Sequence, residues 1–218
     1  MLQFLLYVTS VFSRENNVKG FANTSPGFIE NKGQIIDQNN MPNPAVLYLL
    51  NTPGMNVQLR EGGFSYDLYS PPRHKERGPG GEVRYHRIDI NLEGTNPCCQ
   101  IIPSDPLSDY FNYFTANTSA SGIKNVRQCA KVTYQNIYPG IDIEFFTNDE
   151  HGYKYNFVIH PGGNIKDIRL KIEGPDDISL IGDTLKYATR FGDVEELIPE
   201  SYYSVSYTHL TLPTIYSV

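Results

Sequence analysis

The segment from Tyr134 to Gly174 constrains the fold of this chain more than any other part of the sequence. It reads YQNIYPGIDIEFFTNDEHGYKYNFVIHPGGNIKDIRLKIEG, in which strand-like runs are separated by Pro-Gly, a polar five-residue turn and Pro-Gly-Gly. Runs of alternating apolar and polar residues that are bounded by such turns are typical of β-hairpins. The segment therefore predicts an antiparallel β-meander.

Alternation along two strands of this meander assigns their faces, because successive side chains of a strand point to opposite sides of the sheet. The residues predicted to face the core are apolar: Ile141, Ile143, Phe145, Tyr153, Tyr155, Phe157 and Ile159. The residues predicted to face away are polar: Asp142, Glu144, Lys154 and Asn156. On that outer face we expect cross-strand ion pairing of the two carboxylates with Lys154.

Short strand-like runs continue along most of the chain, and no amphipathic helix is evident. Roughly a dozen such runs at short spacing are typical of a sandwich or a barrel. The 16 tyrosines and 11 phenylalanines also suit strands that are joined by tight turns. The sequence predicts an all-β fold, a large antiparallel β-sandwich built from hairpins and meanders, as a single domain over residues 28–203.

One stretch inside this domain lacks the strand pattern. Ser70–Gly81 reads SPPRHKERGPGG and combines proline, glycine and charged residues. Such a composition cannot bury enough apolar area to order itself. We therefore expect a mobile loop that lies outside the core.

The two ends of the chain are predicted to lie outside the domain. Residues 1–27 are a signal-like and polar lead segment: the apolar run MLQFLLYVTSVFS has the length of the hydrophobic part of a signal peptide. A buried strand is the alternative for this run. Residues 204–218 resemble the translation of a sequencing adapter, so we expect an artefact there, with a real final strand as the alternative.

Composition argues against two classes of partner. The net charge is −6, and the 18 lysines and arginines form no basic cluster, so the chain has no electrostatic footprint for nucleic acid. The mean hydropathy of −0.38 argues against a membrane protein, and the apolar run at the start is too short to span a bilayer. We expect neither a nucleic-acid partner nor a membrane span.

The titratable residues predict no catalytic residue and no cofactor. Asp142 and Glu144 could form the carboxylate pair of a glycosidase, but two acids on one strand are the ordinary geometry of an exposed face. His86, His151 and His160 have no spacing typical of a metal or catalytic motif. His151 lies in the turn from Asn148 to Gly152 and His160 at a strand end before Pro161-Gly162-Gly163, and we expect both at the surface.

Cysteines and acidic turns likewise predict no metal-binding residue. Cys98, Cys99 and Cys129 lack zinc-site spacing. One of the adjacent pair could form a disulfide with Cys129, and small, buried apolar side chains are the alternative. Asn148–Glu150 and Asp176–Asp177 offer oxygen ligands for calcium, but their role as polar turn residues explains both segments.

The run DYFNYF is the most aromatic part of the sequence. Alternation places Tyr110, Asn112 and Phe114 on one face of a strand, and Phe111 and Tyr113 on the other. We expect at least one of these two sets to lie in the core. An exposed set would instead form a platform on which a carbohydrate could stack.

Six motifs follow one another along the chain: FIENKGQ, LYLLNTPGMNVQLREGGFSYDLY, YFNYF, VTYQNIYPGIDIEFF, YKYNFVIHPGGNIKDIRLKIEG and VEELIPESYY. Together they resemble the uncharacterised N-terminal β domain that precedes SBBP-type β-propeller repeats in secreted Bacteroidota proteins. Such proteins often end in a gliding-motility-associated domain for type IX secretion. The Cys98-Cys99 pair and Cys129 depart from the pattern of that family. The resemblance implies secretion or surface display and supplies no catalytic residue.

Two functions remain open at this stage. The first is a non-catalytic extracellular β module of a secreted or cell-surface multidomain protein, used for adhesion, spacing or ligand binding. Its partners would be downstream domains of the same chain and an extracellular polysaccharide or protein. The alternative is a carbohydrate-active enzyme or carbohydrate-binding domain. Two facing carboxylates in a cleft would favour an enzyme, and an exposed aromatic strip would favour binding.

Overall fold

The structure is a computed structural model that describes residues 2–12, 27–70, 84–115, 118–148, 152–197 and 201–205. Most of the predicted loop Ser70–Gly81 lies outside the described residues. The same holds for His151, for most of the acidic turn Asn148–Glu150 and for residues 206–218. What the sequence predicts for these segments stays a prediction.

Strands make up most of the described residues, which contain no α-helix and one 3-10 turn at Ile165–Asp167. The strands in chain order are β1 Leu2–Phe12, β2 Phe28–Glu30, β3 Val46–Thr52, β4 Met55–Arg60, β5 Gly63–Ser70, β6 Arg84–Leu92, β7 Gln100–Tyr113, β8 Ile123–Tyr138, β9 Ile141–Asn148, β10 Gly152–Ile159, β11 Leu170–Glu173, β12 Asp177–Ile181, β13 Thr184–Ala188, β14 Val194–Leu197 and β15 Ser201–Val205. All pairs of these strands are antiparallel. The prediction of an all-β antiparallel fold is confirmed.

The strands form one ladder, and the strands at its two ends are consecutive in sequence. Its order is β11-β6-β5-β4-β3-β2-β8-β9-β10-β1-β14-β13-β12, with β15 paired to β1 and β7 paired to β8. The strands at the two ends, β11 and β12, follow each other in sequence and are joined by residues 174–176. The sheet therefore curls on itself, and its two halves face each other as the layers of a sandwich do.

Gly174 and His86 hold the two ends of the ladder together. Gly174 has a φ of +104°, and a Cβ atom there would collide with the carbonyl oxygen of Arg87. Nε2 of His86 on β6 lies 2.8 Å from the carbonyl oxygen of Gly174, and its Nδ1 lies 3.4 Å from the backbone nitrogen of Arg190, between β13 and β14. These contacts fit a neutral ring that donates from Nε2 and accepts at Nδ1.

The core lies between the two facing halves. The ring of Phe64 on β5 packs against Phe145 on β9 and Tyr155 on β10, with centroid distances of 5.3 and 4.9 Å. Tyr66 contacts Tyr153 in the same way at 5.9 Å. All seven residues predicted to face inward on β9 and β10 are buried, and Ile141, Ile143 and Phe145 are fully enclosed. The predicted inward face of β9 and β10 is confirmed.

Strand β8 belongs to both halves of the sheet, and β7 runs along its outer side. Residues 128–129 of β8 pair with β2, and residues 131–138 pair with β9. β7 pairs with β8 over almost its whole length and with no other strand among the described residues. The β7–β8 hairpin is therefore an edge of the molecule.

Strand β1 lies in the ladder between β10 and β14 and also pairs with β15. The structure does not test whether residues 1–27 are removed as a signal segment, so their removal stays a prediction. The proposed boundary after Tyr203 falls within β15, and the prediction of an artefact beyond it also stays open. None of the described residues forms a helix with the length and apolar character to cross a membrane.

Candidate functional site

The outer strand of the β7–β8 hairpin is built as a protected edge. Pro103 and Pro106 on β7 lack a backbone N–H, and Asp105 between them has a φ of +53°. Proline is tolerated in a sheet mainly at an edge, and an irregular edge resists pairing with other strands. The backbone of this edge is thus poorly suited to accept another strand, which leaves the side chains of the hairpin as its contact surface.

Large aromatic side chains of this hairpin lie in solvent. Tyr110 is 51% exposed, Phe114 is 64% exposed and Phe111 is 39% exposed, while Tyr113 is half-buried. The expectation that at least one aromatic set lies in the core is wrong. It failed because the end of β7 that carries these residues pairs only with β8 among the described strands and does not lie between the two halves of the sheet.

The register of the hairpin gathers two cations beside two of these rings. Tyr110 lies opposite Arg127, while Phe111 pairs with Val126 and Tyr113 pairs with Ile123, so β8 carries one extra residue between these pairs. The extra residue is a bulge, which turns Lys124 to the side of Arg127. We call the five residues on this side the hairpin face: Tyr110, Asn112, Phe114, Lys124 and Arg127.

Asn125 and Asn112 fix the bulge. Asn125 has a φ of +56°, a conformation that asparagine tolerates better than most residues. Its backbone N–H donates a hydrogen bond of 3.0 Å to Oδ1 of Asn112. Lys32 adds a second tie, because its Nζ donates to the carbonyl oxygen of Asn125 at 2.8 Å. The hairpin face is therefore held by local hydrogen bonds although its side chains lie in water.

Each cation of the hairpin face lies near an aromatic ring. The guanidinium carbon of Arg127 is 5.7 Å from the ring centroid of Tyr110, and Nζ of Lys124 is 5.8 Å from that of Phe114. These distances are within the range of cation–π attraction. Neither cation forms an ion pair within the described part of the chain. The face can therefore offer flat apolar surface and positive charge to the same ligand.

The two carboxylates that the sequence places on the outer face of the meander each contact a basic side chain. Nζ of Lys131 on β8 contacts Oε1 of Glu144 at 2.6 Å, and Oδ2 of Asp142 lies 2.8 Å from Nε2 of His160. The predicted pairing with Lys154 is wrong, because the register places Lys154 opposite Phe146. The exposed position expected for Asn156 is also wrong, since that side chain is 3% exposed.

A cleft of about 530 Å³ holds two carboxylates from different elements, Glu30 on β2 and Glu61 in the turn after β4. Tyr48, Pro42 and Ile101 supply apolar walls. The Glu30 carboxylate is already engaged, because Oε1 accepts the backbone N–H of Arg127 at 2.6 Å and pairs with Lys32 at 2.8 Å. A retaining or inverting glycosidase needs two carboxylates that are free to act on the substrate. This cleft does not provide such a pair.

His86 and Cys129 are buried, whereas His160 and Cys98 line the same surface depression. His86 is buried at the closure of the sheet, and His160 is half-exposed beside Asp142 in a depression of about 410 Å³ that Cys98 also lines. All three cysteines are free; Cys98 is exposed, and burial raises the pKa of the Cys129 thiol to about 11. The described residues contain no cluster of three potential ligands that could hold a metal ion.

The core contains a buried acid that the sequence analysis did not predict. Glu196 on β14 is 2% exposed and accepts hydrogen bonds from the hydroxyls of Tyr66 at 2.6 Å, Tyr187 at 2.7 Å and Tyr155 at 3.3 Å. Glu195 and Glu196 are neighbours in the short strand β14, so their side chains point to opposite faces. Only the position of Glu196 two residues after the apolar Val194 could have indicated that it points inward. Its partners come from β5, β10 and β13, so it joins both halves of the core.

One known protein family matches most of this chain. The model of a family described as Domain of unknown function (DUF7948) matches residues 28–218. The comparisons with curated proteins and with solved structures gave no match. The matched range starts at the first residue of β2 and includes every later strand, the hairpin face among them. The description names no activity, so any function must be argued from the side chains.

Proposed function

We propose that this chain, which belongs to the DUF7948 family, is a non-catalytic binding module of a secreted or cell-surface protein. It would contact an extracellular ligand through the hairpin face and so serve in adhesion. Its resemblance to the N-terminal domain of SBBP-repeat proteins of Bacteroidota supports secretion and further domains downstream, with β-propeller repeats as the expected neighbours.

The exposure of Tyr110 and Phe114 carries this proposal. Aromatic side chains bury a large apolar area when they can, and a patch of them in water, held in place by hydrogen bonds of its own backbone, is typical of an interaction surface. The bulge at Asn125 adds weight, since bulges often direct side chains at functional edges. A structural spacer would have no need for such a face.

The alternative of a carbohydrate-active enzyme has less support. Glu30 is engaged by Lys32 and Arg127, while Asp142 and Glu144 are engaged by His160 and Lys131. Among the described residues, no cleft joins two free carboxylates. A carbohydrate-binding domain without catalysis agrees with the same hairpin face and is a special case of the proposal.

The proposal can be tested by affinity electrophoresis of the full chain in native gels that contain one polysaccharide each, both neutral and acidic. We expect slower migration in at least one gel and loss of this retardation when Tyr110→Ala and Phe114→Ala are combined. Tyr85→Ala is the matched control, because Tyr85 on β6 is 57% exposed and lies outside the hairpin.

Circular dichroism must show that the double variant is folded. If the double variant is still retarded, the polysaccharide binds outside the hairpin face. Absence of retardation in every gel would contradict a polysaccharide-binding role altogether.

A further inference from the structure

We propose that the ligand of the hairpin face is an anionic polysaccharide, one that carries carboxylate or sulfate groups on its sugar rings. This inference rests on the function proposed above and specifies the class of ligand. Its basis is the pairing of each exposed ring with a cation that has no acidic partner in the described part of the chain.

The two cations set the charge of the ligand. Lys124 and Arg127 are exposed and unpaired, although the chain as a whole carries a net charge of −6. A neutral polymer lying on Tyr110 and Phe114 would displace water from both cations and offer no charge in return, which is unfavourable. An acidic polymer would replace that water with ion pairs, and the planar fork of Arg127 matches a carboxylate or sulfate well.

The two rings favour a polymer over a small anion. Tyr110 and Phe114 are four residues apart along an extended segment, and at about 3.3 Å per residue they lie roughly 13 Å from each other. A single inorganic anion would leave both aromatic rings in water. A chain of sugars could place an apolar ring face on each aromatic ring and an acidic group near each cation.

Single-stranded nucleic acid shares part of this chemistry, because its bases stack on aromatic rings and its phosphates attract cations. Such sites usually track the backbone with a continuous basic groove. The hairpin face has two cations that are unpaired among the described residues, and Lys32 at its border is already paired with Glu30 at 2.8 Å. Two cations do not form a continuous basic groove, so the face suits a sugar polymer better than a nucleic-acid strand.

The test uses two pairs of polymers that differ in charge and share their sugar rings: polygalacturonate with its fully methyl-esterified form, and dextran sulfate with dextran. We expect the full chain to bind an acidic member at least tenfold more tightly than its neutral partner in isothermal titration calorimetry. Affinity should fall as salt is raised from 50 to 200 mM, because exposed ion pairs are screened.

Variants separate charge from stacking. Lys124→Gln with Arg127→Gln should lower affinity for the acidic polymer about tenfold, as expected for two exposed ion pairs, and should abolish most of the salt dependence. Lys166→Gln, at an exposed lysine of the 3-10 turn, is the charge control and should change nothing. Thermal unfolding of each variant checks that the fold is intact.

Three results would overturn the inference. Equal binding of the acidic and neutral partners through Tyr110 and Phe114 would leave the proposed binding function standing and remove the anionic ligand. Tighter binding of a single-stranded oligonucleotide through the same residues would assign the face to nucleic acid. Failure of all four polymers to bind would contradict this inference, and the proposed function would fall with it only if the neutral and acidic gels described above were also negative.

Discussion

The hydroxyl of Tyr66 donates a hydrogen bond of 2.6 Å to Oε1 of Glu196, and both residues are enclosed in the core. Tyr66 lies on β5 and Glu196 on β14, in opposite halves of the curled sheet. Two more hydroxyls, those of Tyr155 and Tyr187, donate to Oε2. A buried carboxylate is tolerated only when hydrogen bonds replace its hydration. The three tyrosines fulfil this condition and fix the register between the two layers.

Replacement of Glu196 by alanine should therefore be among the most damaging substitutions in this protein. It would leave three buried hydroxyls without their acceptor, and we expect the free energy of unfolding to fall by about 3–5 kcal/mol. Glu195→Ala is the matched control: its side chain is half-exposed and lies 3.6 Å from Lys186, so its loss should be below about 1 kcal/mol. Urea denaturation of both variants measures the two losses in the free energy of unfolding. Equal losses would contradict the role of Glu196 in joining the two layers.

The same tyrosines predict how stability depends on alkaline pH. Burial, and then the neighbouring Glu196, raise the pKa of Tyr66, Tyr155 and Tyr187 well above their usual value. The unfolded chain has ordinary tyrosines with a pKa of about 10, so it loses these protons first. The contribution is therefore fully present below about pH 10, and it is lost as the pH rises from there towards the folded-state pKa.

This dependence can be followed in two ways. The free energy of unfolding, measured in urea between pH 8 and pH 11, should decrease above about pH 10. Absorbance of tyrosinate should show that Tyr66, Tyr155 and Tyr187 ionise only together with unfolding. Ionisation of all tyrosines in one step without loss of structure would show that the buried set is accessible to water.

Gly174 should tolerate alanine far less than Gly182, although both have a positive φ. At Gly182 a Cβ atom would meet no other atom within 4 Å, so alanine should cost about 1 kcal/mol of backbone strain. At Gly174 the Cβ would in addition collide with the Arg87 carbonyl. We expect a loss larger by at least about 2 kcal/mol in thermal or urea unfolding. Similar losses at the two positions would mean that the backbone at residues 174–176 can shift.

Phe157→Ala should cost about 3–5 kcal/mol, because the ring is 2% exposed and its removal leaves a cavity. In contrast, Asp142→Asn together with Glu144→Gln should cost no more than about 1–2 kcal/mol, since their ion pairs are half-exposed. Denaturant unfolding compares the two variants. If the double variant kept its fold and lost a hydrolytic activity on a polysaccharide, the outer face of β9 would be catalytic and the binding proposal would fail.

The period of two in the sequence was sufficient to predict which residues of β9 and β10 face the core. Ile143 could be assigned to the core because it lies between Asp142 and Glu144 in a strand whose other face is only partly covered. On β10 the same rule failed for the opposite face, since Asn156 and Val158 are buried as well. The partner of Glu144 could not be predicted in the same way. That partner depends on which strand lies next to β9 and in what register. Lys131 lies on β8, and the sequence alone does not show how β8 aligns with β9.

Tyr110 and Glu196 show the limit of residue type as a guide to burial. The tyrosine is in water and the glutamate is in the core, opposite to the usual preferences. Both outcomes depend on contacts between residues far apart in sequence. Within the described part of the chain no strand other than β8 pairs with β7, so Tyr110 stays in water, whereas three tyrosines from other strands surround Glu196. The candidate binding face could therefore be recognised only in the three-dimensional structure.

The joining of β11 to β12 at residues 174–176 has a consequence for the rate of folding. Most neighbours in the ladder are hairpins that form from nearby residues, but the pairs of β1, β2–β8 and β11–β6 join strands far apart in sequence. For β11 to pair with β6, Leu170 must come opposite Leu92. Closing so long a loop costs entropy before any contact compensates for it, and such steps slow folding. We expect the hairpins to form early and the curl to close last, so that an intermediate with an open sheet precedes the native state and exposes the edge of β6 to other chains.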